Sequence, residues 1–224
     1  MKQGPSRIVG KFLFLLVLLA ALTRPWLAYA QSLHFVSVAW VLPNKQAEYD
    51  LFNERITAVW ARYGMEVLLR GRVIGALAEE NPADLPTEIA VLRVASRTQF
   101  QDYIADPTYR QLRPDRMNAI EQMTVLEGTV SDVPLNSLVA TAPQFAIKFS
   151  NPSSDNPDEV STRGGAVMFR LSTSHVGSIK GPMAPLYASK PHITLFAMSY
   201  DDNPMGFADE TDSASSIFIL QRVE

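Results

Sequence analysis

Residues 96–116, SRTQFQDYIADPTYRQLRPDR, contain two helix signals in succession, and the break between them decides how the first half of the chain folds. Ser96 and Gln99 have the spacing of a Ser-x-x-Gln capping box, which predicts that a helix begins here. Pro107 cannot continue that helix comfortably, because it lacks a backbone N–H, but it suits the first turn of a new one. The stretch therefore predicts a helix, a break at Asp106, and a second short helical piece.

The segments on either side of this stretch follow strand and helix patterns. Runs rich in β-branched and aromatic residues predict strands at 33–42, 65–74, 87–96 and 121–130. Between the first two strands, apolar residues recur at three- and four-residue spacing from Tyr49 to Tyr63, with Asn44 as a candidate N-cap and Gly64 as the stop. The order of elements is βαββαβ, the ferredoxin-like arrangement, in which two helices cover one face of the sheet.

Four segments between residues 35 and 128 are similar to those of a known family, and they read ARYGMEVLLRG, VAS, YIADPTYRQLRPDR and VLEG. With them, the chain resembles the dimeric α/β-barrel superfamily, and more closely its branch catalogued as a domain of unknown function. The resemblance implies that two such sheets pack face to face into a barrel with a cleft inside. The second sheet would come from a homodimer partner or from an intramolecular pseudo-dimer. The fold alone selects no activity.

The second half of the chain is predicted to be rich in strands. After a linker at 131–142, strand-like runs occur at QFAIKFS, GAVMFRLST, HITLFAMSY and SSIFILQRV, and no helix pattern separates them. FVSVAWVLPNK is similar in pattern to FAIKFSNPSSD, and AVLRVAS to VMFRLST. We therefore expect an α+β protein with a ferredoxin-like α/β-barrel domain at 33–130. A β-rich domain, or a degenerate second repeat that covers the first sheet, follows at 143–224.

The first thirty residues have the features of a secretory signal peptide. Lys2, Arg7 and Lys11 precede an apolar run that is shorter than the roughly 20 residues a transmembrane helix needs. The small residues of Ala28-Tyr29-Ala30 predict cleavage before Gln31, with a retained membrane anchor as the alternative. We expect an exported protein, periplasmic or secreted, with no stable membrane span after cleavage.

Composition argues against several kinds of site. The chain has no cysteine, which excludes thiol catalysis, iron–sulfur clusters and Cys-ligated zinc. Its formal net charge is −3, and the leader carries basic residues but no acid, so the mature chain is more acidic still and a poor nucleic-acid binder. It contains no Gly-rich phosphate loop, G-x-S-x-G elbow or H-E-x-x-H pattern. The common hydrolase and nucleotide-enzyme functions have no support, and no cofactor is predicted.

Alternation along the strands groups five candidate ligand-binding side chains. His34 and Trp40 share one face of the first strand, Glu66 and Arg70 share a face of the second, and Arg93 lies on the third. If these faces line the barrel, the five side chains converge in a mostly apolar cleft suited to a small anionic or aromatic ligand. The alternative is that the glutamate and the two arginines form a paired network at a subunit interface or an exposed edge.

The broken helix carries two further candidates. Arg113 or Arg116 could reach the mouth of the cleft and hold an anionic ligand, because a guanidinium binds carboxylate and phosphate groups well. The alternative is purely structural, with Tyr109 and Leu112 docking the helix against the sheet.

Histidine spacing gives little support for a haem or metal site. Relatives of this fold include haem-degrading enzymes, which need an axial ligand, usually histidine. Only His34, His175 and His192 are available, and none has paired metal-ligand spacing. Each is interpreted as an ordinary surface or core histidine.

Residues 201–212, DDNPMGFADETD, partly match a calcium-binding loop. Candidate ligands are Asp201, Asn203, Asp209 and Asp212. Met205 replaces an oxygen ligand, however, and the flanks have strand patterns where helices are needed. A solvated acidic loop is the preferred interpretation, and no metal site is predicted.

Three functions remain open at this point. The first is an exported small-molecule-binding protein whose barrel cleft holds an anionic or aromatic compound. The second is a cofactor-independent monooxygenase or isomerase that uses the same cleft, as in relatives of the resembled fold. The third is a structural envelope protein that acts by oligomerisation. No recognisable catalytic motif decides among them.

Overall fold

The part of the chain that the computed structural model describes comprises residues 32–76, 85–132, 142, 144–150, 166–181, 192–198 and 216–223. Its strands are β1 (Leu33–Val41), β2 (Met65–Ala76), β3 (Glu88–Val94), β4 (Ile120–Asp132), β5 (Gln144–Ser150), β6 (Ala166–Lys180), β7 (His192–Met198) and β8 (Ser216–Arg222). Its helices are α1 (Gln46–Arg62), α2 (Arg97–Ala105) and α3 (Pro107–Ala119). None of these helices is long and apolar enough to cross a membrane. The predicted leader, the calcium-loop candidates Asp201, Asn203, Asp209 and Asp212, and most of the predicted linker lie outside the described residues.

The described strands form one closed antiparallel barrel in the order β1-β3-β2-β8-β5-β7-β6-β4. The first half contributes the strands in the order β4-β1-β3-β2. If the four strands of a half are numbered along the chain, this order is fourth, first, third, second. The second half, read as β8-β5-β7-β6, repeats that order. The predicted α+β class is therefore confirmed, with a ferredoxin-like half followed by a β-rich half. The domain boundary at 131–142 stays a prediction.

Two glycines lie at the seams where the halves meet, which are the β4–β6 and β2–β8 pairs. A Cβ on Gly128 would lie 2.3 Å from the carbonyl oxygen of Ser172, and a Cβ on Gly71 would lie 2.9 Å from the Cβ of Leu220. Both distances are shorter than side chains tolerate, so the strands approach this closely because these positions have no side chain.

The two helices predicted in 96–116 are present. Ser96 Oγ accepts a hydrogen bond from the Gln99 amide at 3.2 Å, as a capping box requires. Asp106 caps α3, and its Oδ1 accepts from the amides of Thr108 at 2.6 Å and Tyr109 at 3.1 Å. The second helix is longer than the short piece predicted and runs to Ala119, even though it contains a proline at 114.

One predicted helix cap is wrong. Asn44 lies in a turn with a φ of 64°, in the left-handed region that asparagine tolerates, and Lys45 occupies the N-cap position without a side-chain cap. The predicted stop at Gly64 agrees with the structure, where this residue has a φ of 60° directly after α1.

The barrel interior is filled by apolar side chains from both halves. On β1, even-numbered residues such as Val36 and Val38 point inward, while Phe35 points outward to the helices. The inward-facing buried residues are Val36, Val38, Leu69, Ile89, Val91, Leu126, Phe145, Ile147, Phe149, Leu171, Ile193, Leu195, Ala197, Phe218 and Leu220. Helices α1, α2 and α3 cover the outer face of the first-half sheet with a second cluster.

Candidate functional site

A cavity of about 100 Å³ lies between the three helices and the outer face of the first-half sheet. We call it the helix-side cavity. Its lining residues are Phe35, Ser37, Tyr49, Phe52, Asn53, Trp60, Met65, Val67, Arg70, Glu88, Ala90, Leu92, Phe100, Tyr103, Ile104, Tyr109, Arg116, Met123, Val125 and Ile179. Val67 and Ile104 are exposed and apolar, which places the solvent side of the cavity between β2 and α2. Aromatic rings dominate the wall, with a small set of polar groups among them.

A β-bulge places Arg70 in this cavity. The pairing of β2 with β3 shifts register between Val67 and Leu69, so Leu69 points into the barrel and Arg70 points to the helices. The uniform alternation predicted from Glu66 to Arg70 does not continue through the strand, because the extra residue of the bulge reverses the face of every residue after it.

Arg116 enters the cavity from α3 and is only 7% exposed. Its Nη2 donates to the hydroxyl of Tyr109 at 3.0 Å, and its guanidinium carbon lies 5.3 Å from the ring centroid of Phe52. Among the described residues, no carboxylate pairs with it. A buried guanidinium without an acid is unusual, because burying an unpaired charge costs free energy.

The position of Arg116 depends on how α3 is held at both ends. At its start, Asp106 accepts from the hydroxyl of Tyr63 at 2.7 Å and pairs with Arg62 at 3.1 Å, both at the end of α1. At its other end, Lys180 Nζ donates to the carbonyl oxygens of Met117, at 2.6 Å, and Ile120. A residue of the second half thus stabilises the turn that carries Arg116.

Three buried N–H donors that line the helix-side cavity have no hydrogen-bond partner among the described residues: Arg116 Nε, Asn53 Nδ2 and Trp60 Nε1. Asn53 is 8% exposed, and it lies on the same face of α1 as Trp60, seven residues along. These two groups lie near the hydroxyls of Tyr49 and Tyr103, but without normal hydrogen-bond geometry. Three unsatisfied donors in one cavity suit a ligand oxygen that is anionic or a strong acceptor.

The cavity tyrosines are also donors at neutral pH. Burial raises the pKa of Tyr49 and, with the nearby Tyr109 as a second cause, the pKa of Tyr103. Both hydroxyls therefore keep their protons. The rings of Tyr103 and Tyr109 lie 4.4 Å apart, centroid to centroid, which extends the aromatic wall towards Arg116.

Glu88 brings a buried acid to the cavity wall. It is 2% exposed, and it accepts two hydrogen bonds from Arg70, from Nε to Oε1 at 2.7 Å and from Nη2 to Oε2 at 2.9 Å. Burial raises the pKa of Glu88, while the bonds from Arg70 oppose that rise. The same guanidinium donates to Asp50 at 2.5 Å, and Asp50 also accepts from Arg72 at 2.8 Å.

Of the seven side chains predicted to bind a ligand, only Arg70 and Arg116 line the helix-side cavity. His34 is buried and Trp40 is half-buried, both on the inward-facing side of β1. Glu66 pairs with Arg93 across β2 and β3, at the start of β2. Arg113 is exposed on the outer side of α3. The proposed pairing of glutamate with arginine is thus present, but as two separate pairs, because Arg70 pairs with Glu88.

Sequence reasoning missed Asn53, Trp60, Tyr49 and Glu88. One signal was available for the first three, since all lie on α1 in step with the apolar stripe, and a polar asparagine within that stripe is out of pattern. No comparable signal existed for Glu88, whose partner Arg70 faces it only because of the bulge. Among the described residues, no group of three or more His, Asp or Glu could hold a metal ion.

The fold of this chain also occurs in proteins of known structure. No family model matches the chain, and no curated protein matches it. An anthrone oxidase-like protein of known structure aligns with a TM-score of 0.55 at 10% identity, over 87% of this chain and 92% of its own. A proposed monooxygenase from Fusobacterium nucleatum subsp. nucleatum aligns with a TM-score of 0.52 at 12% identity, over 88% and 94%. At this identity the likeness shows the fold: a ferredoxin-type α/β barrel with both halves in one chain.

Proposed function

We propose that this chain binds a small phenol in the helix-side cavity and oxidises it with molecular oxygen, without a cofactor. Of the three functions left open by the sequence, this one is supported best by the polar groups in the cavity. The observation that carries the proposal is the buried guanidinium of Arg116, which pairs with no carboxylate among the described residues and lies in an aromatic wall beside the N–H groups of Asn53 and Trp60.

The chemistry of the cavity fits a phenolate. A ring that stacks on Phe35, Phe100 or Tyr103 would share the cavity with the guanidinium of Arg116 and with the N–H-bearing side chains of Asn53 and Trp60. Such donors stabilise negative charge on oxygen, and their effect is large in a site that excludes water. Ionisation makes the ring electron-rich, which is what direct reaction with oxygen requires.

The reaction balances without an external reductant. A phenol in which one ring C–H becomes C=O loses four electrons and yields a quinone, and one molecule of oxygen accepts all four. One oxygen atom enters the product and the other leaves as water. The names of the two aligned proteins, an anthrone oxidase-like protein and a proposed monooxygenase, are consistent with this type of chemistry.

The size of the cavity leaves room for no more than one ring. A cavity of about 150 Å³ in another protein holds a benzene molecule, and the helix-side cavity has about 100 Å³. We therefore propose a monocyclic phenol as the substrate class, with the exposed side chains of Val67 and Ile104 at the entrance.

Several features that the sequence predicts are proposed along with this function. The protein is proposed to be exported, on the basis of the leader at 1–30. It is proposed to belong to the uncharacterised branch of the dimeric α/β-barrel superfamily that residues 35–128 resemble. Its partner is proposed to be a small anionic or aromatic molecule, with the second half acting as the intramolecular pseudo-dimer partner.

The test is oxygen uptake by the mature protein with a panel of monocyclic phenols, alongside product absorbance and a direct binding measurement. We expect Arg116→Met to lower kcat/KM by about 10²-fold or more, the usual effect of removing a donor to a developing oxyanion. Arg110→Met is the matched control, because Arg110 is exposed on the same helix. Equal activity in the Arg116 variant would contradict the assigned site.

The same experiment separates the rival functions. Binding that needs Arg116, with no oxygen uptake for any phenol, would leave a small-molecule-binding protein. Neither binding nor uptake, combined with self-association, would favour the structural role.

A further inference from the structure

A phenol must lose its proton before it becomes reactive, and the identity of the proton acceptor follows from a second set of cavity residues. This inference rests on the proposed function. Neither Tyr49 nor Tyr103 can take the proton, because burial keeps both hydroxyls protonated. Among the described cavity-lining residues, Glu88 is the only carboxylate.

The carboxylate of Glu88 has capacity for another hydrogen bond. Each of its oxygens accepts one bond from Arg70, and an ionised carboxylate oxygen has two lone pairs. One lone pair on each oxygen is therefore not used by the arginine. Because Glu88 lines the helix-side cavity, a ligand hydroxyl can donate to it without displacing Arg70.

Glu88 is also the inner end of a chain of charged groups that leads to solvent. Arg70 connects it to Asp50, and Asp50 connects to Arg72. The exposed fraction of these side chains rises along that chain, from 2% for Glu88 to 18%, 34% and 46%. The chain balances two acids against two arginines, so Arg70 stays paired with Asp50 when Glu88 takes up a proton.

We infer that Glu88 is the general base that accepts the proton of the substrate hydroxyl. The substrate O–H bond breaks, an O–H bond forms on Glu88, and the electron pair remains on the substrate oxygen. That oxygen is then a phenolate beside Arg116. After the product leaves, Glu88 releases the proton to water that enters the emptied cavity, while Arg70 stays protonated and keeps its pair with Asp50.

The charges around Glu88 are compatible with this role. Burial raises its pKa and so does Asp50, whereas Arg70 and Arg72 lower it. Tyr49 of α1 interacts electrostatically with Glu88, and also with Arg116 of α3. The pKa of Glu88 is raised overall, which makes Glu88 a stronger base than an exposed glutamate. The difference between its pKa and that of a phenol hydroxyl is therefore smaller.

The test uses 4-nitrophenol, whose neutral and ionised forms absorb at different wavelengths, with the mature protein and no turnover. At a pH where the free compound is neutral, we expect the bound compound to show the ionised spectrum. Calorimetry in two buffers of different ionisation heat should show no net proton release to the buffer. Release of one proton per bound phenolate would overturn the inference, and this measurement needs no variant.

Glu88→Gln supplies the second readout. We expect the bound 4-nitrophenol to stay neutral at that pH and to ionise only as the pH rises, with turnover of an active phenol lowered by about 10²-fold or more. Glu121→Gln, at an exposed position on β4, is the control. An unchanged spectrum in Glu88→Gln would overturn the inference.

The two proposals fail in different ways. Absent oxygen uptake with normal proton transfer to Glu88 would reject the oxygenase and keep the proton acceptor. Normal oxygen uptake, together with an ionised spectrum of 4-nitrophenol bound to Glu88→Gln, would keep the oxygenase and reject Glu88 as the proton acceptor.

Discussion

The two faces of the first-half sheet differ in what they do with buried groups. The inward face packs apolar side chains such as Val36, Ile89 and Leu126, each 0% exposed, against the second half. The outward face holds the helix-side cavity, whose wall contains buried donors with no partner among the described residues and the ion pair of Arg70 with Glu88. The three unpartnered buried donors that line the cavity, on Arg116, Asn53 and Trp60, all belong to the outward side among the described residues.

In this sheet, the residues that pack the barrel core and the residues that line the candidate site lie on opposite faces. Successive residues of one strand point to opposite faces, so β1 supplies Val36 to the barrel and Phe35 to the cavity. Changes on the inward face should therefore alter the free energy of unfolding with little effect on ligand binding. Changes to the polar residues that line the cavity on the outward face should alter ligand binding more than the free energy of unfolding.

The largest expected effect is in the barrel interior, where Phe218 of β8 belongs to the same apolar cluster as the inward face of the first-half sheet. Phe218 is 0% exposed and packs edge-on against Phe149, with centroids 5.7 Å apart. We expect Phe218→Ala to lower the free energy of unfolding by about 3–5 kcal/mol, through lost burial and the cavity it leaves. Denaturant unfolding measures this change. A loss of ligand affinity in folded protein would show that the two faces are not independent.

A smaller effect on stability is expected where α1 meets α3, because a single carboxylate, that of Asp106, bonds to both helices there. The hydrogen bond from Tyr63 lowers the pKa of Asp106, as do the amides of Thr108 and Tyr109. A group with a lowered folded pKa stabilises the protein above its unfolded pKa, about 3.9 for aspartate, and loses that contribution as the pH falls through the folded pKa.

We therefore expect Asp106→Asn to lower the melting temperature by several degrees at pH 7, and the difference from the native protein to shrink below about pH 4. Asp115→Asn is the matched control on the same helix, since Asp115 forms only an exposed pair with Arg55 at 3.6 Å. A difference that is constant with pH would mean that the charge of Asp106 is not what holds the helices together.

The smallest effect on stability is expected at Lys180, where the second half meets α3. Lys180→Met removes a cation from the C-terminal carbonyls of the helix, which costs about 0.5 kcal/mol. Because Arg116 lies in that turn, we expect phenol binding to weaken several-fold and Lys180→Arg to restore it. Unchanged affinity, measured by titration of 4-nitrophenol, would show that the second half does not position Arg116.

Sequence reasoning predicted the elements of the first half well, because their signals are local. The capping box at Ser96, the stop at Gly64 and the helix start at Pro107 depend on a few neighbouring residues. The candidate site was predicted less well. Arg116, a candidate from the sequence, lines the helix-side cavity, but Asn53 and Glu88 were not among the candidates, because their place in the cavity depends on residues far away along the chain.

The sequence by itself determined the βαββαβ order, the broken helix and the strand-rich second half, since periodicity and capping act over a few residues. Only the tertiary structure decided that the described cavity lies on the helix side of the sheet, that a bulge directs Arg70 to it, and that Arg116 is buried there with no acidic partner among the described residues. The physical reason is that strand register, barrel closure and burial depend on contacts between distant segments, which no local pattern encodes.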